Sequence, residues 1–349
     1  MSALLRWLKR ILTTVVVGLI ALALPPIYVE VACQGPAAKT DGPAPLVDAQ
    51  WQRPESRTLL TYPEWHIVHA YDDYAAVIAN GDPHDFAYLR AIAGFWQTLC
   101  TLTEYAASMG GVTDETKTTI YTIGVSFTAE LLAKAAYEET LGRLAVLLRG
   151  SERARLDDLS ATQAAEYAKF LQQTPWYKWD FTSDAEALKA NAGEGLRNTE
   201  RRLALGAEFR AKAAYARVIA AAVAEVGADD LRLRSVVSGL SEQALTQIEG
   251  VTVIGPLADG VEIETERYRA FTRVLERLAD QGGDFIEIAG NDEILFTALS
   301  SEPNLQDALY SFPRQGYGDF RHLVVVPVRE LADRLRTLNG LSLEHVHDY

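Results

Sequence analysis

The stretch TTIYTIGVSFTAELLAKAAYEETLGRLAVLL, residues 118–148, decides the first reading of the fold. At 100° per residue Ile120, Phe127, Leu131, Leu141 and Ala145 fall on one face, and Val125, Leu132, Ala136 and Leu147 on the other, so the segment is apolar nearly all round. A helix of that kind is expected inside other structure. Three of its charges, Glu130, Lys134 and Glu138, recur every four positions along one flank. In a core such groups must be paired or change protonation state. They are the candidate acid/base residues; the plainer alternative is a salt-bridge ladder in which the lysine satisfies both carboxylates. No Glu-x-x-His pair lies on this helix, which argues against a di-iron carboxylate bundle.

Toward the N-terminus, Thr61-Tyr62-Pro63-Glu64 reads as a capping box with proline at the first helical position, so a helix is expected to start at Pro63. Ile67, Tyr71, Tyr74 and Ile78 form its apolar stripe. On the opposite side, EWHIVHAYDDYA brings His66, His69 and Asp73 together at i, i+3 and i+7. Two imidazoles and a carboxylate completed by water make a candidate transition-metal site. The alternative is a solvated polar face on which His69 pairs with Asp73.

Further helices are expected from Asp85 to Gly110-Gly111, from the capping boxes Ser160/Gln163 and Ser183/Glu186, and over the arginine-bearing residues 196–226. Together they define a helical domain over residues 61–247. The uncharged runs within 86–109 and 118–132 fall short of the roughly 18 residues a span requires, which places these helices outside the bilayer. In TPWYKWDF the rings Trp176, Tyr177, Trp179 and Phe181 crowd a short aperiodic run. They are the candidate partner or membrane contact, against a loop tucked beneath the bundle.

From Ile248 the period changes. Strands are expected over 251–254, 284–288, 293–299, 322–328 and 341–347, with helices over 267–280 and 329–338 and a hairpin turn at Gly290-Asn291-Asp292. Residues 248–349 thus read as an α+β domain with helices covering an antiparallel, ferredoxin-like sheet layer, making the whole chain α+β and mainly helical. No internal repeat is visible. In the tail, His345 and His347 share a face if extended, a candidate second half-site, against a frayed polar end.

At the other end Arg6, Lys9 and Arg10 precede ILTTVVVGLIALALPPIYVEVA, from Ile11 to Ala32. That length suits a hydrocarbon core of roughly 30 Å, so residues 1–32 read as a transmembrane anchor or signal segment. Cleavage near Ala21-Leu22-Ala23 and lipidation at Cys33 are the alternatives. The basic flank puts the N-terminus in the cytoplasm and the bulk of the chain in the periplasm, as a single pass of a bacterial-type inner membrane. Residues 33–60 are a Pro/Gly/Ala-rich spacer. Cys33 and Cys100 are the only two cysteines, no disulfide framework is expected, and Cys100 reads as a small buried hydrophobe.

A formal net charge of −14 over 349 residues, with no basic aromatic patch, argues against nucleic acid. Phosphate loops, dinucleotide fingerprints, nucleophile elbows, CxxC pairs and HExxH helices are missing from the sequence. The expectation is a membrane-anchored envelope protein of non-enzymatic type that binds a partner protein or lipid. The alternative is a metal-dependent enzyme or redox protein built on His66, His69 and Asp73.

Overall fold

In the computed structural model, which describes residues 3–36, 44–226 and 231–349, the chain is mainly helical with two four-stranded antiparallel sheets. The helical part comprises α1 (Ala3–Ala32), α2 (Arg57–Asn80), α3 (Tyr88–Ala106), α4 (Asp114–Tyr137), α5 (Arg143–Arg149), α6 (Arg155–Leu171), α7 (Phe181–Ala190) and α8 (Leu196–Val226). The first sheet is built from β1 (Arg232–Ser238), α9 (Glu242–Leu245), β2 (Thr252–Leu257), β3 (Gly260–Glu266), α10 (Arg269–Asp280) and β4 (Asp284–Ile288). The second is built from β5 (Glu293–Ser300), β6 (Tyr310–Pro313), β7 (Phe320–Pro327), α11 (Val328–Arg336) and β8 (Ser342–His347).

The sheets run β2-β3-β1-β4 and β6-β7-β5-β8, the same order twice, so the single layer expected from the sequence is in fact two. The expected hairpin at Gly290-Asn291-Asp292 is a crossing: β4 ends the first sheet and β5 begins the second. Ala289 and Gly290, at φ 52° and 84°, make the corner. One core lies where α10 and α11 meet both sheets, with Phe271 and Leu331 beside Ile263 and Phe285 of the first and Phe296 and Val324 of the second. The opposite face of the second sheet is covered by α2, α3 and α4, where Leu295 and Leu323 join Leu59, Phe95, Leu99 and Phe127. Strands buried on both faces read as continuous apolar runs, which is why β5 and β7 were legible.

β1 was not. It precedes residue 248, and its Arg232 and Arg234 pair across the sheet with Glu264 and Glu262, so charges alternate along the strand directly after an arginine-bearing helix.

Helix α2 begins at Arg57, earlier than Pro63, and Pro63 lies inside it. The second sheet secures the additional residues: Thr58 Oγ1 donates to His347 O at 2.6 Å and accepts from Leu295 N at 2.9 Å. Thr61 Oγ1 turns back to Thr58 O in place of capping. Ser160 and Ser183 likewise lie inside α6 and α7; Asp180 accepts from the backbone of Thr182 and Ser183 at the start of α7.

Residues 118–148 are not buried all round. They form α4, a π-helical turn at Glu138–Gly142 and α5. Ile120, Phe127 and Leu131 face the core, while Leu141, Leu144, Leu147 and Leu148 are exposed, because this helix sits at the rim of the helical layer.

At the base of α1, Val29 and Cys33 are buried, Glu30 meets Lys117 and Tyr121, and Cys33 is disulfide-bonded to Cys100. The bond overturns the expectation of two unpaired cysteines; sequence spacing does not reveal that the last turn of α1 docks beside α3. Leu12, Val17, Leu19, Ile20, Leu24 and Tyr28 are exposed farther up α1. Among the described residues no helix is long and apolar enough to cross a membrane. Of the expected spacer, residues 37–43 lie outside the described residues. The following part is docked: Leu46 N and Val47 N donate to Glu287, Arg53 N to Ala289 O, and Trp51 lies against Arg234.

Candidate functional site

Helix α2 crosses the second sheet and is covered on both sides. Its stripe meets other helices, Tyr71 against Tyr167 of α6 and Tyr74 against Tyr88 of α3. Tyr62, Trp65, His66, His69 and Asp73 are buried as well, so the solvated polar face considered from the sequence does not exist.

The charges opposite α2 come from β7 and β8. Glu344 is the extra residue of a bulge in β8, skipped between the pairs Thr297↔His345 and Ala298↔Leu343. Its carboxylate receives Arg321 Nε at 2.5 Å and Nη2 at 2.6 Å. Burial would raise the Glu344 pKa, but Arg321 more than offsets this and holds it below the usual range. Asp73 Oδ2 accepts from Gln315 N at 3.0 Å, and its Oδ1 stands 3.9 Å from both Arg321 and Arg314. Burial nonetheless pushes Asp73 up to about 6. Arg314 also reaches Asp72 at 3.3 Å and Asp319 at 3.0 Å. Sequence reasoning missed Arg321, Arg314 and the role of Glu344. The available signal was an arginine inside the apolar run FRHLVVVP, since a charge in a doubly covered strand requires a partner.

The C-terminal histidines meet those of α2. His345 stacks on Trp65 with ring centroids 3.4 Å apart, and its Nδ1 contacts Thr272 Oγ1 at 2.9 Å. His347 lies edge-on to Tyr62, and His69 Nε2 is 3.5 Å from Glu344. The tail is therefore not frayed: Asp348 takes Arg267 at 2.8 Å and the Tyr268 amide at 2.7 Å, and the Tyr349 hydroxyl bonds Glu293 O. Burial lowers all four imidazoles, His66 to about 4, His347 to about 3, and His69 and His345 well below the ordinary value, so they are neutral at neutral pH.

His66, His69 and Asp73 do not close on a common point. His66 Nε2 is held by Ala91 O at 2.9 Å, His69 faces Glu344, and Asp73 faces two arginines that already supply positive charge. Among the described residues, the one trio of His, Cys, Asp or Glu ligand atoms lying within 4.8 Å of one another is Cys33, Cys100 and Glu104, and there the sulfurs are bonded to each other.

What His66 and Asp73 do share is a cavity of about 360 Å³ between α2, α3 and the β6–β7 hairpin. Ala70, Ala91 and Gly94 keep it wide, Arg90 and Gln97 flank it, and Tyr310, Phe312 and Arg321 close the sheet side. Gly94 is required by close approach, because a Cβ there would stand 2.9 Å from His66 Cε1. His66 Nδ1 and Asp73 Oδ1 are buried without a hydrogen-bond partner.

The remaining candidates lie away from this cavity. Glu130, Lys134 and Glu138 are satisfied by α8 and not by one another: Glu130 takes Lys212 at 2.7 Å and the Tyr71 hydroxyl at 2.6 Å, Lys134 takes Glu208 at 3.1 Å, and Glu138 takes Arg201 at 2.8 Å. Phe181 is buried, and Trp176, Tyr177 and Trp179 pack half-buried around Tyr167, Phe209 and Ala216. Comparison of the chain with known protein families, characterised proteins and solved structures finds no match.

Proposed function

We propose that the protein is a membrane-tethered binding protein of the cell envelope, with its body on the non-cytoplasmic side and its ligand received in the cavity beside α2. The observation that carries the tether is the Cys33–Cys100 disulfide, which fastens the base of α1 to α3. Such bonds persist in oxidising compartments. Arg6, Lys9 and Arg10 precede the apolar part of α1, in the arrangement that retains a basic flank in the cytoplasm. With its last turn taken by the body, residues 11–28 leave about 27 Å of helix at about 1.5 Å per residue. That is slightly under the roughly 30 Å of a hydrocarbon core. The basic side chains supply the difference by reaching along the bilayer edge.

Recognition in place of bond-making is supported by the way the site spends its charges. Arg321 is committed to Glu344 through two nitrogens and Arg314 to Asp72 and Asp319, so the cations of the site already have partners. The test is a carbonate wash of membranes carrying the full chain or a form lacking residues 2–28. The full chain stays in the pellet and the shortened form is released, and alkylation before reduction labels no thiol in either. Release of the full chain, or two labelled cysteines, would overturn the tether.

A further inference from the structure

We infer that the outer face of α5 and α8 rests on the bilayer that holds α1, with its leucines entering the interface and its arginines meeting anionic lipid headgroups. This rests on the tether reading above and adds the surface by which the body meets the membrane.

Apolar side chains left in water are concentrated on one part of the helical layer. Outside α1, nine of the fourteen large hydrophobic side chains exposed among the described residues lie between Leu132 and Leu148 or on α8. Soluble monomers rarely leave a contiguous patch of that kind uncovered. Leu141, Leu144 and Leu148 follow the spacing of one helical stripe, and Leu196 and Leu203 that of another. The two stripes share a side. Glu130–Lys212, Lys134–Glu208 and Glu138–Arg201 set α4 and α8 side by side and antiparallel, and α5 continues against α8. Ala145 of α5 and Arg197 and Arg201 of α8 are buried, which turns both leucine stripes to the outside of the layer.

Charge selects the occupant. The whole chain carries −14, yet the charged side chains exposed among those described on α8 are Arg210 and Arg217, which continue the Leu196, Leu203 stripe at seven-residue steps. On the α5 side the exposed Arg143 is balanced by Glu139 at 2.6 Å. Leucines backed by arginines suit a bilayer with anionic headgroups, because the apolar side chains enter the interface while the guanidinium groups reach the phosphates. A second copy of the same face would set these arginines against their own kind, since no carboxylate is exposed among the described side chains of α8. The anchor agrees. Glu30 of α1 meets Lys117 and Tyr121 in the early turns of α4, and α4 leads through the π-helical turn into α5, so the face lies on the helix to which the anchor is fastened.

The experiment places one nitroxide label at a time on the full chain in lipid vesicles. Cys33 and Cys100 are bonded to each other, so an introduced cysteine alone takes the label. In vesicles of phosphatidylglycerol and phosphatidylcholine, labels at Leu144→Cys and Leu203→Cys collide more with oxygen, which dissolves in lipid, than with a water-soluble nickel chelate. A label at Ile254→Cys, exposed on β2, does the reverse. Phosphatidylcholine alone, or Arg210→Glu with Arg217→Glu, shifts the Leu203→Cys label toward water. Labels on α5 and α8 that report water in the anionic vesicles overturn the inference, while flotation of the chain with those vesicles keeps the tether reading. Indifference to both lipid charge and the arginine changes overturns the role of anionic headgroups. Dipolar broadening between labels on separate chains would make a second copy the occupant, and equal lipid exposure at Ile254→Cys would mean unspecific insertion; either result overturns the inference. A chain that does not float overturns the tether and the inference together.

Discussion

Glu344 reaches Arg321 only because a bulge in β8 inserts one unpaired residue, and the two then form a bidentate pair at 2.5 and 2.6 Å beneath α2. Arg321 is 1% exposed and stands between Glu344 and Asp73. Its removal leaves two buried carboxylates with only Arg314, 3.9 and 4.0 Å away, beside them. Arg321→Met is expected to cost about 3–5 kcal/mol in urea unfolding, and Arg321→Met with Glu344→Gln to recover part of it. A double variant no more stable than the single would show that charge pairing is not the cause.

Four buried neutral histidines make the fold acid-sensitive. Below the unfolded value of 6.5 the unfolded chain takes up protons that His66 refuses until about pH 4 and His347 until about pH 3; His69 and His345 behave likewise. Stability contributed by these groups is thus present above pH 6.5 and lost as pH falls toward 4. Asp73, raised to about 6, and Glu55, raised to about 7, act the other way, since the native state protonates them first. His322, lowered by burial, joins the histidines, and Asp184, Glu276 and Glu293, raised by burial, join the carboxyls; with the deeply buried imidazoles carrying the larger effect, the slope of stability against pH is expected to be positive between pH 5 and 7. Urea midpoints measured across pH 7 to 5 read this slope, and His347→Gln should reduce it by about one proton. A flat profile would contradict neutral burial.

Reducing the Cys33–Cys100 bond opens a loop with a sequence separation of 67. Cys100→Ser is expected to lower stability by about 2–4 kcal/mol and to free the base of α1. Thermal unfolding with and without reductant should show the wild type moving to the midpoint of the variant, which itself does not respond to reductant.

Two glycine-to-alanine changes should have opposite signs. At Gly94 the new methyl would stand 2.9 Å from His66 Cε1, so Gly94→Ala is expected to destabilise by about 1–3 kcal/mol and to displace the His66 ring. At Gly206, inside α8, the closest atom would be 3.7 Å away, and Gly206→Ala should stabilise by about 0.5–1 kcal/mol through helix propensity. Denaturation midpoints, together with the His66 imidazole resonances, distinguish the two cases.

The sequence by itself determined the local elements with strong periodicity or clear punctuation. β4 at Asp284–Ile288 and the start of β5 at Glu293 are where local pattern places them, because those signals are contained in a few consecutive residues. It also marked His66, His69, Asp73, His345 and His347 as unusual and left open that the two histidine groups meet. Tertiary structure alone decided the rest. It divided the strands between two sheets of the same order, turned the apolar segment 118–148 into a half-exposed rim helix, and joined Cys33 to Cys100. It gave Glu130, Lys134 and Glu138 their partners on α8. Above all it put Arg321 and Glu344 opposite α2, in place of the metal-ligand geometry expected there. Such contacts depend on strand register and on one bulged residue, and a one-residue change of register reverses every side chain in a strand. That choice is made by burial summed over the whole molecule, which local spacing does not encode.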